Sequence, residues 1–79
     1  MKYRVLDNGQ NADASAYPEH AAWGWYTSLF STIEAANQYA NDWIGAWVTH
    51  NFKVNTIYKY TRFGDTIQIK EVEEVKEVE

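Results

Sequence analysis

The sequence Phe30-Ser31-Thr32-Ile33-Glu34 marks the point at which a strand-like aromatic run stops and an amphipathic helix begins. Ser31 is predicted to be the N-cap residue, because its hydroxyl can accept from the amide three residues on while Glu34 reaches back, as in a capping box. Phe30 stands where the apolar residue of a hydrophobic staple would. This stretch therefore predicts a helix that organises the fold.

The predicted helix extends toward Val48 and carries an apolar stripe. At 100° per residue the stripe contains Ile33, Ala36, Ala40, Trp43, Ile44 and Trp47. The opposite side contains Glu34, Gln38, Asp42 and Gly45. We expect the stripe to pack on a sheet. The sequence allows two ends for the helix: one at His50-Asn51, and an earlier one near Asp42, since Gly45 weakens a helix by about 1 kcal/mol.

Alternating side chains predict four strands, at residues 2–6, 22–30, 52–63 and 66–72. Asp7-Asn8-Gly9 is a turn signal, but the hairpin partner is not expected at once. The next segment, Gln10 to Ala22, contains the only proline and is predicted to be a loop. Gly64-Asp65 joins the last two strands as a hairpin. The order β-β-α-β-β predicts an α+β fold, with one helix across one face of a small antiparallel sheet and the other face open.

The composition is that of one small domain, rich in aromatic residues. At 79 residues the core is expected to contribute only about 3–5 kcal/mol net. Four Trp, six Tyr and three Phe are more than one such core needs. Without cysteine there is no disulfide, and two isolated histidines cannot form a structural zinc site. A homodimer is one way in which the surplus aromatic surface would be used.

The charges divide the chain into a body and a tail. Residues 1–70, the predicted compact domain, contain six acidic and six basic residues and are neutral. Residues 71–79 contain five acidic residues and one basic residue, which accounts for the formal charge of −4. We expect this C-terminal segment to be a solvated acidic tail. The neutral body argues against binding to nucleic acid.

The N-terminal residues lead directly into a predicted strand, without the apolar region of a signal peptide. No stretch has the roughly 18 apolar residues that a membrane-spanning helix requires. The absence of cysteine fits a reducing compartment. These features lead us to expect a cytoplasmic protein without membrane contact.

No catalytic or metal-binding pattern is evident in the sequence. His20 lies beside Glu19 but has neither a nucleophile nor a second ligand at a recognised spacing. His50 is explained as a residue near the helix C-terminus. Glu34 and Asp42 lie on the solvated side of the predicted helix. We therefore predict a non-enzymatic protein with no catalytic residue, no metal and no cofactor.

The aromatic residues predict a protein-binding surface instead. Trp23 and Trp25 lie beside the predicted loop, and Tyr58 and Tyr60 share one face of the third long strand. Trp and Tyr are enriched at binding hot spots, so these four are predicted to contact a protein partner. We expect them to act by steric occlusion from the open face of the sheet and the loop.

Binding of single-stranded nucleic acid is the alternative function. The segment from Phe52 to Phe63 interleaves aromatic with basic residues, as a stacking platform would. The residues concerned are Lys53, Tyr58, Lys59, Tyr60 and Arg62. A structural homodimer is a further alternative.

The junction Phe30-Ser31-Thr32-Ile33-Glu34-Ala35-Ala36, followed by Tyr39-Ala40 and Trp43, resembles small phage-encoded accessory proteins. In these proteins a strand ends in an aromatic residue and a helix crosses a small sheet; the phage inhibitor of host RNA polymerase is similar in outline. The resemblance covers about a third of the chain. It implies a viral protein that inhibits a host protein by covering its surface in the host cytoplasm, and it assigns no functional residue.

Overall fold

A computed structural model describes residues 2–24 and 29–72, apart from the side chains of His20 and Trp23. Its elements form an α+β fold, as predicted, in which a helix packs against an antiparallel sheet. Five strands lie within the described ranges: β1 (Lys2–Asp7), β2 (Gln10–Asn11), β3 (Leu29–Phe30), β4 (Ile57–Lys59) and β5 (Thr66–Val72). The helix is α1 (Ile33–Ile44), and a 3-10 helix covers Pro18–Trp23.

β1 and β5 form the centre of the sheet, with Val5 opposite Ile69. β4 pairs with the outer side of β5, whereas β2 and β3 share the free side of β1. Successive side chains of a strand point to opposite faces, so Val5, Ile67 and Ile69 all face α1 and are fully buried.

The helix begins one residue later than predicted. Thr32, not Ser31, is the N-cap residue: its backbone is extended and its Oγ1 accepts from the Ala35 N–H at 3.2 Å. Both residues can cap a helix, so the sequence alone does not choose between them. The choice follows from β3, which ends at Phe30 and leaves Ser31 in the connection.

The helix ends near the earlier of the two positions that the sequence allowed, two residues after Asp42. It stops at Ile44, because Gly45 adopts the left-handed conformation with φ 67° and its N–H bonds back to Asn41 and Asp42. Glycine has no Cβ to oppose this geometry, which makes it the usual residue just past a helix. Trp47 therefore lies beyond the helix, and the prediction that it joins the buried stripe is wrong.

The third long strand was predicted over residues 52–63 but is only three residues long, at β4. The Phe52 N–H bonds to the Asn37 side chain, and the Thr56 N–H bonds to Lys53 O within a turn. Asn55 has φ 63°, which no strand residue adopts. These contacts keep residues 52–56 out of a regular strand, and the segment hydrogen-bonds to β5 through Asn55, whose N–H bonds to Ile69 O at 2.7 Å and whose Oδ1 accepts from the Glu71 N–H at 3.0 Å.

The region before the helix also differs from the prediction. The hairpin partner does follow Asp7 at once: Asn8 (φ 53°) and Gly9 (φ 80°) form a two-residue turn into β2. The predicted loop from Gln10 to Ala22 thus contains a strand and most of a 3-10 helix. Trp23 ends that 3-10 helix rather than lying in a strand. Trp25 lies outside the described residues.

The fully and nearly buried apolar residues form a small core: Val5, Ala12, Ala36, Ala40, Phe52, Ile67 and Ile69. Half-buried aromatic residues surround it, including Tyr39, whose ring centroid is 4.8 Å from that of Phe30. The sheet continues through Val72, two residues into the predicted tail, and residues 73–79 lie outside the described part of the chain.

Candidate functional site

Two asparagines on α1 fix the segment that follows the helix. Asn41 is buried; its Oδ1 accepts from the His50 N–H at 2.7 Å, and its Nδ2 donates to His50 O at 2.9 Å. Asn37, one turn earlier, donates to the same carbonyl at 2.8 Å and accepts from the Phe52 N–H at 2.9 Å. Because the helix end and His50 are both held, the intervening residues 46–49 form a short loop on a rigid base.

That loop exposes two large apolar side chains. Trp47 is fully exposed, and Val48 is 71 % exposed. Large apolar side chains that are exposed next to one another, rather than singly, are typical of interaction sites. The loop therefore forms the first wall of the candidate site.

The second wall is β4 and the turn that follows it. Thr61 organises this turn: its hydroxyl donates to Asp65 at 2.8 Å and accepts from the N–H groups of Phe63 and Asp65. The two residues at the tip, Arg62 and Phe63, project into solvent. The Arg62 guanidinium carbon lies 5.0 Å from the Phe63 ring centroid, and Phe63 is 81 % exposed.

An open groove of about 740 Å³ lies between the two walls. We call it the Trp47 groove; its lining includes Ile44, Trp47, Val48, His50, Phe52, Tyr58, Lys59, Tyr60 and Arg62. Phe52 and Tyr58 meet edge to face, with ring centroids 5.2 Å apart. The described residues of the lining include basic side chains but no aspartate or glutamate. It is thus an aromatic groove with a positive rim.

A buried carboxylate supports the back of the second wall. Asp7 accepts from the Trp43 indole N–H at 2.8 Å and from the Tyr60 hydroxyl at 3.0 Å. Burial, together with the hydrogen bond and charge of Asp7, raises the pKa of Tyr60 above its usual range. The hydrogen bonds to Asp7 thus hold the Tyr60 ring in one orientation where it lines the groove.

The structure separates the residues predicted to bind a protein partner. Tyr58 and Tyr60 are half-buried and pack against the core on the helix side of the sheet, so they do not lie on its open face as predicted. The reason is register: Tyr58 pairs with Ile67, whose side chain faces α1. The Trp23 side chain and all of Trp25 fall outside the described residues, and the binding role of all four stays a prediction.

The residues of the nucleic-acid alternative are also divided. Lys59 and Arg62 line the Trp47 groove, whereas Lys53 lies in the preceding loop and its N–H bonds to the Tyr58 hydroxyl. Trp47 and Phe63 were not predicted as site residues. The signal that could have identified Trp47 is Gly45. If Gly45 is taken as the end of the helix, rather than as a weak point within it, Trp47 falls in the loop that follows.

Among residues 2–24 and 29–72, no group of three His, Asp or Glu side chains is arranged to hold a metal ion. In the same ranges, no helix has the length and apolar character that crossing a membrane requires. No protein-family model, curated protein or solved structure matches the chain.

Proposed function

We propose that the protein is a non-enzymatic binding module whose Trp47 groove holds an extended segment of another protein. The observation that carries this proposal is the full exposure of Trp47 beside a groove of about 740 Å³. Ligand grooves in proteins commonly have volumes of about 300–1,000 Å³. The partner segment is expected to carry apolar and acidic side chains.

The apolar character of the segment follows from the walls. Trp47 and Val48 on one side and Phe63 near the other leave a large apolar area in water. Covering it with apolar side chains would contribute favourable free energy, and central Trp residues are the most frequent hot spots of interfaces. The loop is fixed through Asn41 and His50, so little conformational entropy is lost when a partner binds.

The acidic character of the segment follows from the rim. Arg62 lines the groove, and the described lining residues include no aspartate or glutamate. A basic segment would be repelled, whereas an acidic side chain could accept a charge-assisted hydrogen bond from Arg62. This combination supports a specific partner rather than general apolar adhesion.

Binding is favoured over catalysis by the state of the polar groups in the groove. The Tyr60 hydroxyl donates to Asp7, and the Tyr58 hydroxyl accepts from the Lys53 N–H at 3.0 Å. Both hydroxyls are thus engaged within the fold. The rings of Tyr58 and Tyr60 are therefore available to contact a partner, while their hydroxyl groups fix the ring positions through hydrogen bonds within the fold.

The test is selection of peptides from a random displayed library against the full chain, followed by calorimetry with the enriched sequences. We expect enriched peptides to combine acidic with apolar residues. Trp47→Ala should weaken their binding at least about tenfold, as loss of a hot spot does. Ile57→Ala is the matched control, because Ile57 is 63 % exposed but does not line the groove, and it should leave affinity unchanged.

Charge reversal tests the rim separately. Arg62→Glu should weaken binding of the acidic peptides, whereas Lys70→Glu, away from the groove, should not. The proposal is wrong if no peptide is enriched, or if Trp47→Ala binds like the unaltered chain. It is also wrong if the chain is a stable dimer in solution that Trp47→Ala dissociates, since a second copy would then fill the groove.

A further inference from the structure

The face of the sheet that points away from α1 carries the basic side chains of the strands. In β1 and β5, residues that alternate with the buried Val5 and Ile69 point to this face. The basic residues among the strands, Lys2, Arg4, Lys59 and Lys70, all fall on it. The acidic residues of the strands, Asp7 and Glu71, alternate with these basic residues and therefore point to the face that packs against α1. The described strands therefore give this face four cations and no carboxylate.

Two of these cations lie directly opposite each other. Arg4 pairs with Lys70 across the central strands, and Lys2 follows two residues along β1 on the same face. Like charges placed directly opposite on neighbouring strands are destabilising. The contact that the structure gives Arg4 is with Asn11, whose Oδ1 accepts from Nη1 at 3.1 Å. Such an arrangement is stabilised when an anionic ligand lies over the pair.

Residues 1–70 are neutral overall, but strand pairing concentrates four of their six basic residues on this face. We infer that this face binds the phosphate backbone of double-stranded nucleic acid, as a second surface independent of the Trp47 groove. The four cations extend over roughly 20 Å along the strands, at about 3.3 Å per residue. Gln68 lies between Lys70 and Lys59 on the same face, Thr66 lies directly opposite Lys59, and both supply hydrogen-bond donors of the kind that contact phosphate oxygens. A duplex presents regularly spaced charges over such a length.

The side chains on this face favour a duplex over a single strand. Single-strand binding relies on aromatic side chains that stack on bases. Tyr3, Phe30 and Tyr58 all have the register of the helix side, where they pack around the core. Because the described strands place cations but no aromatic side chain on this face, the expected contact is with the backbone, without reading of sequence.

The experiment measures binding of the full chain to a fluorescent 20-base-pair duplex of random sequence at 50 and 200 mM salt. If three or four phosphates are neutralised, affinity should fall roughly 40-fold to 150-fold across this range. Lys70→Gln and Arg4→Gln should each weaken binding and reduce the salt dependence. Lys53→Gln and Arg62→Gln, which remove bases elsewhere, are the matched controls and should bind like the unaltered chain.

The inference is overturned if the duplex is not bound at 50 mM salt, or if the control variants lose as much affinity as Arg4→Gln. It is also overturned if phosphatidylserine vesicles are bound and the duplex is not, which would assign the face to a membrane surface. Trp47→Ala should leave duplex binding unchanged. That result separates this inference from the proposal for the groove, so either can fail without the other.

Discussion

Asp7 is a charged residue that is only 6 % exposed, so its carboxylate must be satisfied inside the fold. It accepts from Trp43 on α1 and from Tyr60 at the end of β4, and its backbone oxygen accepts from the Tyr17 hydroxyl at 3.0 Å. One residue thus ties the helix, the edge of the sheet and the first loop together. Its partners are 10, 36 and 53 residues away in sequence.

The tyrosines around the core predict a loss of stability in alkali. Burial raises the pKa of Tyr39 to about 12, with the charge of Asp13 adding to the effect, and Tyr60 is shifted in the same direction. In an unfolded chain tyrosine has a pKa near 10. Above about pH 10 the folded state therefore holds protons that the unfolded state releases, and the free energy of unfolding should fall as pH rises toward 12.

The measurement is denaturant unfolding from pH 8 to 11 for the unaltered chain and for Tyr60→Phe. The variant lacks one of the shifted groups, so its stability should fall less steeply above pH 10, although it starts lower because Asp7 has lost a hydrogen bond. Parallel curves for the two proteins would contradict the prediction.

Among the elements, the helix shows which sequence signals are sufficient to predict where an element begins and ends. A Ser-Thr pair before an apolar repeat placed the start within one residue, and Gly45 marks the end. The exposed positions Glu34, Gln38 and Asp42 are as predicted. The burial of Asn41 was not predicted. Asn41 is buried because it bonds to His50, and this contact depends on the path of the chain after the helix.

The cap residues give a direct test at this scale. Thr32→Ala should lower the free energy of unfolding by about 1 kcal/mol, because the Ala35 N–H loses its acceptor. Ser31→Ala is the matched control and should change stability by less than about 0.5 kcal/mol. Urea unfolding followed by circular dichroism measures both. A larger loss for Ser31→Ala would restore the capping box predicted from the sequence.

For the whole molecule, the size of the core limits stability. Ile67 and Ile69 are its largest fully buried side chains, together with Val5, and two of its other members are alanines of α1. A core of this size is expected to contribute only about 3–5 kcal/mol net. The polar contacts of Asp7, Asn37 and Asn41 therefore fix the relative positions of elements that few apolar contacts hold.

Two isoleucines allow this limit to be measured. Ile67→Ala should lower the free energy of unfolding by about 2–5 kcal/mol and leave a large unfolded fraction at 25 °C, because the lost methylenes leave a cavity. Ile57→Ala, a matched change at an exposed position, should cost less than about 0.5 kcal/mol. Thermal and urea unfolding report both. Equal losses would mean that the core is not centred on β5.

The sequence by itself determined the α+β class, the first and last strands and the approximate helix, because turn residues, alternation and helical periodicity are local properties of the chain. The tertiary structure decided which side chains form the candidate binding surfaces. Trp47 became exposed because Gly45 ends the helix and Asn41 holds His50, and Tyr58 faces the core because β4 pairs in register with β5. The four cations share one face for the same reason: strand pairing, not local sequence, sets which residues become neighbours.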